Sequence, residues 1–448
     1  MVLLPQESSF AASELLAARA RHMRRRGVRQ GEGELLGSTG QKKRARYNSD
    51  VRILLFSGKG GVGKTSIAAA TGLELARRGY RTLVMSVDPA HSLADAFDLD
   101  QSLFSAATGL PYSINKRLAV QEVNIQQEIK RHWQEIWSYI VSLLQATGIT
   151  QVEAEELAIF PGMEEVSSLM YVNQYRRKKE YDVVVVDCAP TAESLRFVSM
   201  PTTLEWYMKN IFHLERTLMK AVRPVANRVS PVKLPSDSYF SNIQKLFERL
   251  EGIGELLEDS RVVTVRLVTN PEKMVLRETQ RAFVYFALHG MTVDRIIVNR
   301  VLPAAVQDRY FRDWQRSQQK TIEQIEEYFA PVPVSRVPLF AHEVVGSARL
   351  AELARVLYQE PDIDPAARSR QEAPYHFEKN GSGYRIRLHL AFAAPGEVSV
   401  FKKGDELVIE VGTVRRHVGL PTTMAALEPR KAKLEEGILT VELVEGRK

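Results

Sequence analysis

From Val51 onward, short runs of consecutive apolar residues alternate with longer stretches whose apolar positions recur every three or four residues. Runs such as Ile53-Leu54-Leu55-Phe56 and Val183-Val184-Val185-Val186 are continuous, as strands buried on both faces of a parallel sheet require. They predict strands from Arg52 to Ser57, Thr82 to Val87, Asp182 to Asp187, Thr264 to Thr269, Arg295 to Asn299 and Pro333 to Val337. Helical stretches separate them, so the chain reads as α/β. A doubly wound, mostly parallel sheet is the economical arrangement.

Between Asp100 and Tyr181 the strand pattern thins. Ile125, Ile129, Trp133, Ile136, Trp137, Ile140 and Leu144 mark one face of a helix. A second stripe runs through Leu204, Met208, Ile211, Leu218 and Val222, widened by Trp206, Phe212 and Met219. These stretches predict a helical subdomain over about 101–180 and 201–260, inserted into a body spanning 51–358. Residues 359–374, with several prolines and small polar residues, read as a linker. From 375 to 448 the pattern turns to alternation, as in Arg385 to Leu390 and Leu407 to Val411, which predicts a small all-β sandwich.

Composition narrows the classes. With 448 residues, 44% hydrophobic and 26% charged, the chain has ample material for a large core. No apolar run approaches the length of a membrane span. One cysteine, Cys188, excludes an intrachain disulfide and any multi-thiolate metal site built by one chain, which fits a reducing compartment. The net charge of +7 sits mostly in the first 47 residues, where Arg24-Arg25-Arg26 and Lys42-Lys43-Arg44 contribute to a local +6. Residues 1–50 therefore read as a basic, disordered extension. The folded body is nearly neutral, and no nucleic-acid partner is expected for it. The expected location is cytoplasmic, or a plastid stroma if the basic segment is a transit peptide.

Chemistry concentrates where the first strand ends. Ser57-Gly58-Lys59-Gly60-Gly61-Val62-Gly63-Lys64-Thr65 matches G-x-x-x-x-G-K-[ST] between a strand and a helix. The glycines let backbone N–H groups turn inward onto phosphate oxygens, and the helix start adds its positive dipole end. Lys64 would reach the β- and γ-phosphates, and Thr65 would ligate Mg²⁺. Ser66 completes the phosphate-binding stretch.

Lys59, beside the first glycine, makes this a deviant loop, and with it the chain resembles the ArsA family of ATPases. That family spans arsenical-pump subunits and the ATPase of the guided entry of tail-anchored proteins. The resemblance runs from about Arg52 to Leu357. It implies that Lys59 contacts nucleotide across a dimer interface, so the active unit would be a homodimer. Asp88-Pro89-Ala90-His91-Ser92-Leu93-Ala94-Asp95-Ala96-Phe97 looks like the first switch, with Asp88 orienting the attacking water. Asp187-Cys188-Ala189-Pro190-Thr191 resembles the second switch, with Asp187 holding a Mg²⁺-bound water. Asn299 matches the position that reads the adenine base, and Pro338, Leu339 and Phe340 lie where the family packs around it. Phe160 to Glu165 and Asn270 to Arg281 also look like family stretches. Ala432-Lys433-Leu434-Glu435-Glu436-Gly437-Ile438-Leu439-Thr440-Val441 resembles the end of an α-crystallin domain, where the glycine turns between two strands. No I-x-I tail follows, which argues against large heat-shock-type assemblies.

Two departures temper the resemblance. Ala192-Glu193 stand where the second switch usually reads Gly-His. The paired cysteines that bridge some targeting dimers through zinc are missing, as are thiols for arsenite or antimonite, since soft metalloids need several thiolates. The expected activity is Mg²⁺-dependent ATP hydrolysis by a homodimer that cycles a hydrophobic client surface, as a chaperone or membrane-protein targeting factor. The apolar helical stripes are candidate groove walls, although such stripes are commonly core. The alternatives are an ATPase energising an anion or arsenical transporter and a partition-type nucleic-acid-associated ATPase.

Overall fold

The computed structural model describes residues 51–88, 92–100, 109–146, 150–151, 163–189, 197–201, 208, 212, 237–359, 363–381 and 383–445. Its larger part is built on strands β1 (Arg52–Ser57), β2 (Thr82–Ser86), β3 (Tyr112–Asn115), β4 (Leu118–Glu122), β5 (Val183–Asp187), β6 (Val263–Thr269), β7 (Val293–Val301) and β8 (Val334–Pro338). They form one sheet in the order β3-β4-β2-β5-β1-β6-β7-β8. Every neighbouring pair is parallel except the β3–β4 edge. Between the strands run α1 (Lys64–Arg77), α2 (Leu93–Phe97), α3 (Ile125–Glu128), a π-turn (Ile129–Trp133), α4 (Gln134–Ala146), α5 (Met163–Lys178), α6 (Asp237–Leu250), α7 (Ile253–Glu258), α8 (Lys273–Leu288), α9 (Phe311–Tyr328) and α10 (Gly346–Leu357).

The continuous apolar runs are explained by two cores, one on each face of the sheet. In β1, Ile53 and Leu55 join the core lined by α5, α7, α8 and α9, while Leu54 and Phe56 join the core lined by α1 and α10. Val184 and Val186 of β5 take the first side, and Val183 and Val185 the second. With both faces covered by helices, each residue of a central strand removes apolar surface from water, so alternation disappears from the sequence. The sheet is doubly wound, as expected. Strands β1 and β5 lie at its centre, and the loops leaving their carboxyl ends open onto the crevice where such sheets carry ligands.

Two strands were not marked by the apolar pattern. β3 and β4 lie within the stretch expected to be helical, and they extend the large sheet to its edge. β3 alternates half-buried and exposed residues as an edge strand should, and β4 ends in the polar pair Gln121-Glu122. Along the first apolar stripe, Ile129 and Ile136 are buried in the body and Trp133 packs against its core, donating from Nε1 to Ser167 Oγ at 3.2 Å. Of the second stripe, Met208 and Phe212 are buried against Phe240; Leu204, Trp206, Ile211, Leu218, Met219 and Val222 lie outside the described residues, as do residues 1–50. The described members of both stripes that are buried are therefore core.

Residues 375–445 form two antiparallel sheets. One is β14 (Leu427–Glu435), β15 (Ile438–Glu445), β10 (Gly383–His389) and β9 (Tyr375–Asn380), in that order. The other is β11 (Val398–Lys403), β12 (Glu406–Val411) and β13 (Val414–Gly419). Ile386, Leu388, Leu407, Ile409, Leu439, Val441 and Leu443 fill the space between them. Glu436 and Gly437, both at positive φ, make the two-residue turn from β14 to β15. Val284 and Leu288 of α8 enter this same core. The Tyr375 phenol donates to the Leu288 carbonyl at 2.8 Å.

The stretch read as a linker is tied down where it is described. Arg266 donates to the Pro365 carbonyl at 2.6 Å, Arg78 to the Ile363 carbonyl at 2.8 Å, and Ala366 is buried in the α1–α10 core. Arginines that end on backbone carbonyls satisfy both partners and hold the strap against the sheet.

Candidate active site

β1 delivers its last residue, Ser57, to the carboxyl edge of the sheet, and the chain turns through Gly58 to Gly63 before α1 starts at Lys64. A side chain at Gly58 would collide with the Val268 carbonyl of β6, and one at Gly63, where φ is +94°, with the Asn299 amide nitrogen. Glycine is needed at both because the loop lies against neighbouring strands. Gly60 and Gly61 face solvent, while Val62 is buried in the core beneath. Lys64 is buried, and its ammonium donates to the Lys59 carbonyl at 3.3 Å across the loop. Thr65 and Ser66 follow in the first turn of α1, whose leading N–H groups have no intrahelical acceptors.

Several of the expected residues converge on this loop. The Thr65 hydroxyl donates to Asp187 Oδ2 at 2.7 Å and lies 3.1 Å from Ser92 Oγ. Asp187 ends β5, paired with Phe56 of β1 and Ser86 of β2. It is fully buried, and its second oxygen, Oδ1, has no hydrogen-bond partner among the described residues. Burial pushes its carboxyl up to about 7 against the pull of the Thr65 hydroxyl and Lys64; the carboxylates of Asp88 and Glu122 push it further up. Asp88 follows β2, with its N–H on Ser86 Oγ at 3.2 Å. Cys188 is buried, which pushes its thiol up and keeps it protonated.

The residues expected to face a base arrive from β7 and β8. Asn299 Nδ2 donates to the Val62 carbonyl at 2.8 Å and its Oδ1 accepts from the Arg300 N–H at 2.9 Å. The amide expected to read a base therefore also braces the phosphate loop. Pro338 ends β8 beside Val301, and the Leu339 N–H donates to the Val301 carbonyl at 2.8 Å. Leu339 is 44% exposed, while Phe340 packs partly against the α1–α10 core. Lys59 is half-exposed at the rim, with its ammonium 3.9 Å from Glu278 Oε2 on α8. Such a pair at the surface contributes little and leaves the lysine available.

The donor set suits a hard cation accompanying a phosphate. Asp187 supplies an orphaned buried oxygen beside a hydroxyl, and oxygen donors of this kind match Mg²⁺. Among the described residues no group of three His, Cys, Asp or Glu side chains stands ready to hold a metal by itself. Ser92, within the first-switch motif, and Glu278, within a family-like stretch, also line the site; neither has a periodic signal in the sequence that singles it out.

A family model described as anion-transporting ATPase matches residues 51–359, and one described as an HSP20-like domain found in ArsA matches residues 381–443. The chain is 47% identical over 390 residues to putative arsenical pump-driving ATPase 1 of Aquifex aeolicus, covering 86% of this chain and 98% of that protein. It is 38% identical over 392 residues to a putative arsenical pump-driving ATPase of Chlorobaculum tepidum, covering 86% and 94% respectively. Similarity extends to ATPase GET3C of Arabidopsis thaliana, 27% identical over 285 residues, which cover 60% of this chain and 72% of the relative.

Proposed function

The chain belongs to the anion-transporting ATPase (ArsA) family and hydrolyses ATP; from that premise we propose that two copies close on Mg·ATP and use its hydrolysis to cycle a client-binding surface. The observation that carries the reading is the convergence of Lys64, Thr65 and Asp187 on one loop, with the half-exposed Lys59 at its rim.

In this reading the loop amides from Gly58 to Ser66 cradle the phosphates and Lys64 neutralises the transferred group. Thr65 and Asp187 would hold a magnesium ion, which when bound offsets charge on the phosphate oxygens. Asp88 accepts a hydrogen bond from the attacking water and aligns its lone pair with phosphorus. Asn299 offers its amide to the adenine edge, and Leu339 and Phe340 supply apolar contact to the ring. Lys59 reaches the nucleotide of the partner copy, which makes each site incomplete until two copies meet.

The client surface in this proposal is apolar. The relatives named GET3 and the HSP20-like domain favour a chaperone or targeting role. Because Ile129, Ile136, Met208 and Phe212 are buried, hydrolysis would have to expose apolar side chains that are now core. The relatives' arsenical-pump name supports a second reading, in which the ATPase drives a transporter. A single buried, protonated cysteine cannot form the multi-thiolate site that a trivalent metalloid needs. We therefore place the targeting reading first. Photo-crosslinking of an apolar helical peptide in the presence of ATP and of ADP tests it: nucleotide-dependent capture supports a client cycle, and arsenite-stimulated turnover without peptide capture would favour the transporter reading.

A further inference from the structure

The first-switch stretch is fixed to two neighbouring strands. At its start, the Asp88 N–H donates to Ser86 Oγ at 3.2 Å. Further along, the N–H groups of Leu93 and Ala94 both donate to Glu122 Oε1, each at 2.9 Å. Ser86 and Glu122 stand opposite one another as the last pair of the β2–β4 register, so the two anchors share one edge of the sheet.

The second anchor has a local cause. α2 has only five residues, and the first N–H groups of a helix lack intrahelical acceptors. The usual remedy is the side chain of the preceding residue, here Ser92, but its hydroxyl makes no such bond. It lies 3.1 Å from Thr65 Oγ1 instead. A buried carboxylate from β4 caps the helix in its place, through short charge-assisted bonds.

We propose that Glu122 is a positioning residue for ATP hydrolysis. By accepting both amides it holds α2 in place and keeps the Ser92 hydroxyl against Thr65. It acts through these groups rather than on nucleotide or water. This rests on the roles given above to Asp88 and Thr65.

The test compares Glu122→Ala with Glu122→Gln in the full chain, since glutamine retains a carbonyl oxygen that can accept both N–H groups. Glu122→Ala is expected to lower kcat about 10–100-fold, the cost of a small misplacement near the reacting atoms, with KM for ATP within about twofold. Amide hydrogen exchange at Leu93 and Ala94 should accelerate at least about tenfold. Glu122→Gln should restore both. Normal turnover and unchanged exchange in Glu122→Ala would overturn the proposal, as would a loss that glutamine fails to restore. Absence of turnover in the unmutated protein would count against the roles of Asp88 and Thr65 instead, and the exchange comparison would then decide the clamp by itself.

Discussion

The Thr65 hydroxyl and the Asp187 carboxylate meet at 2.7 Å, joining the first turn of α1 to the end of β5 and leaving Asp187 Oδ1 buried without a partner among the described residues. A buried carboxylate with an unmet oxygen is costly, and a cation arriving with phosphate would satisfy it. Asp187→Asn should therefore reduce the magnesium dependence of nucleotide binding, whereas the unmutated protein should lose roughly tenfold or more in affinity when EDTA is added. Titration of a fluorescent ATP analogue with and without EDTA measures both. Equal magnesium dependence in the two proteins would contradict the metal role.

Asp88→Asn should bind nucleotide as the unmutated chain does and turn it over at least about 100-fold more slowly, since a neutral amide is a weaker acceptor than a carboxylate and can turn its NH2 toward the water, which misaligns it. Single-turnover hydrolysis alongside equilibrium binding separates the two effects. Unimpaired turnover would remove Asp88 from the mechanism.

Bracing of the loop by Asn299 gives a third expectation. Asn299→Ala leaves the Val62 carbonyl without its donor, a loss of about 1–3 kcal/mol. It should weaken ATP binding by about 10–100-fold while the thermal midpoint stays within a few degrees. A large fall in thermal midpoint with intact affinity would mean that the bond serves the core rather than the site.

At the contact between α8 and the β domain, His289 is buried, stacked on Tyr285, with Nδ1 3.3 Å from a nitrogen of Arg416, whose guanidinium pairs with Glu258. A guanidinium only donates, so Nδ1 must carry a lone pair. Burial, then the Arg416 charge, holds the imidazole down at about 3. Below about pH 6.5 the unfolded chain takes up a proton here that the folded chain refuses, so this stability is present above 6.5 and lost as pH falls toward 3. The loss between pH 7 and 5 is about 2 kcal/mol. Chemical denaturation at both pH values should show that slope, and His289→Gln, which still accepts from Arg416, should flatten it. An equal slope in both proteins would place the titration elsewhere.

The large sheet could be read from the chain because its central strands are buried on both faces, and a continuous run such as Val183 to Val186 fits few arrangements besides a strand between two cores. The phosphate loop was equally plain, since Gly58, Gly63, Lys64 and Thr65 are constrained one by one. β3 and β4 were hidden because an edge strand needs only half its residues apolar and Leu118 to Glu122 ends in polar groups. Glu122 carried no local mark, because its partners on α2 lie nearly thirty residues earlier and are backbone N–H groups. The stripe through Ile129, Trp133 and Ile136 fits a groove or a core equally well in sequence; only packing against α5 and the sheet decides for core.

In the proposed cycle ATP draws two copies together, with Lys59 of each completing the other's site. Sedimentation velocity of the Asp88→Asn protein with Mg·ATP, beside the Asp88→Asn, Lys59→Ala double variant, tests it most directly. A two-copy species is expected with the first protein and a shift toward single chains with the second. A chain that sediments alone when saturated with ATP, or a two-copy species indifferent to Lys59→Ala, would contradict it.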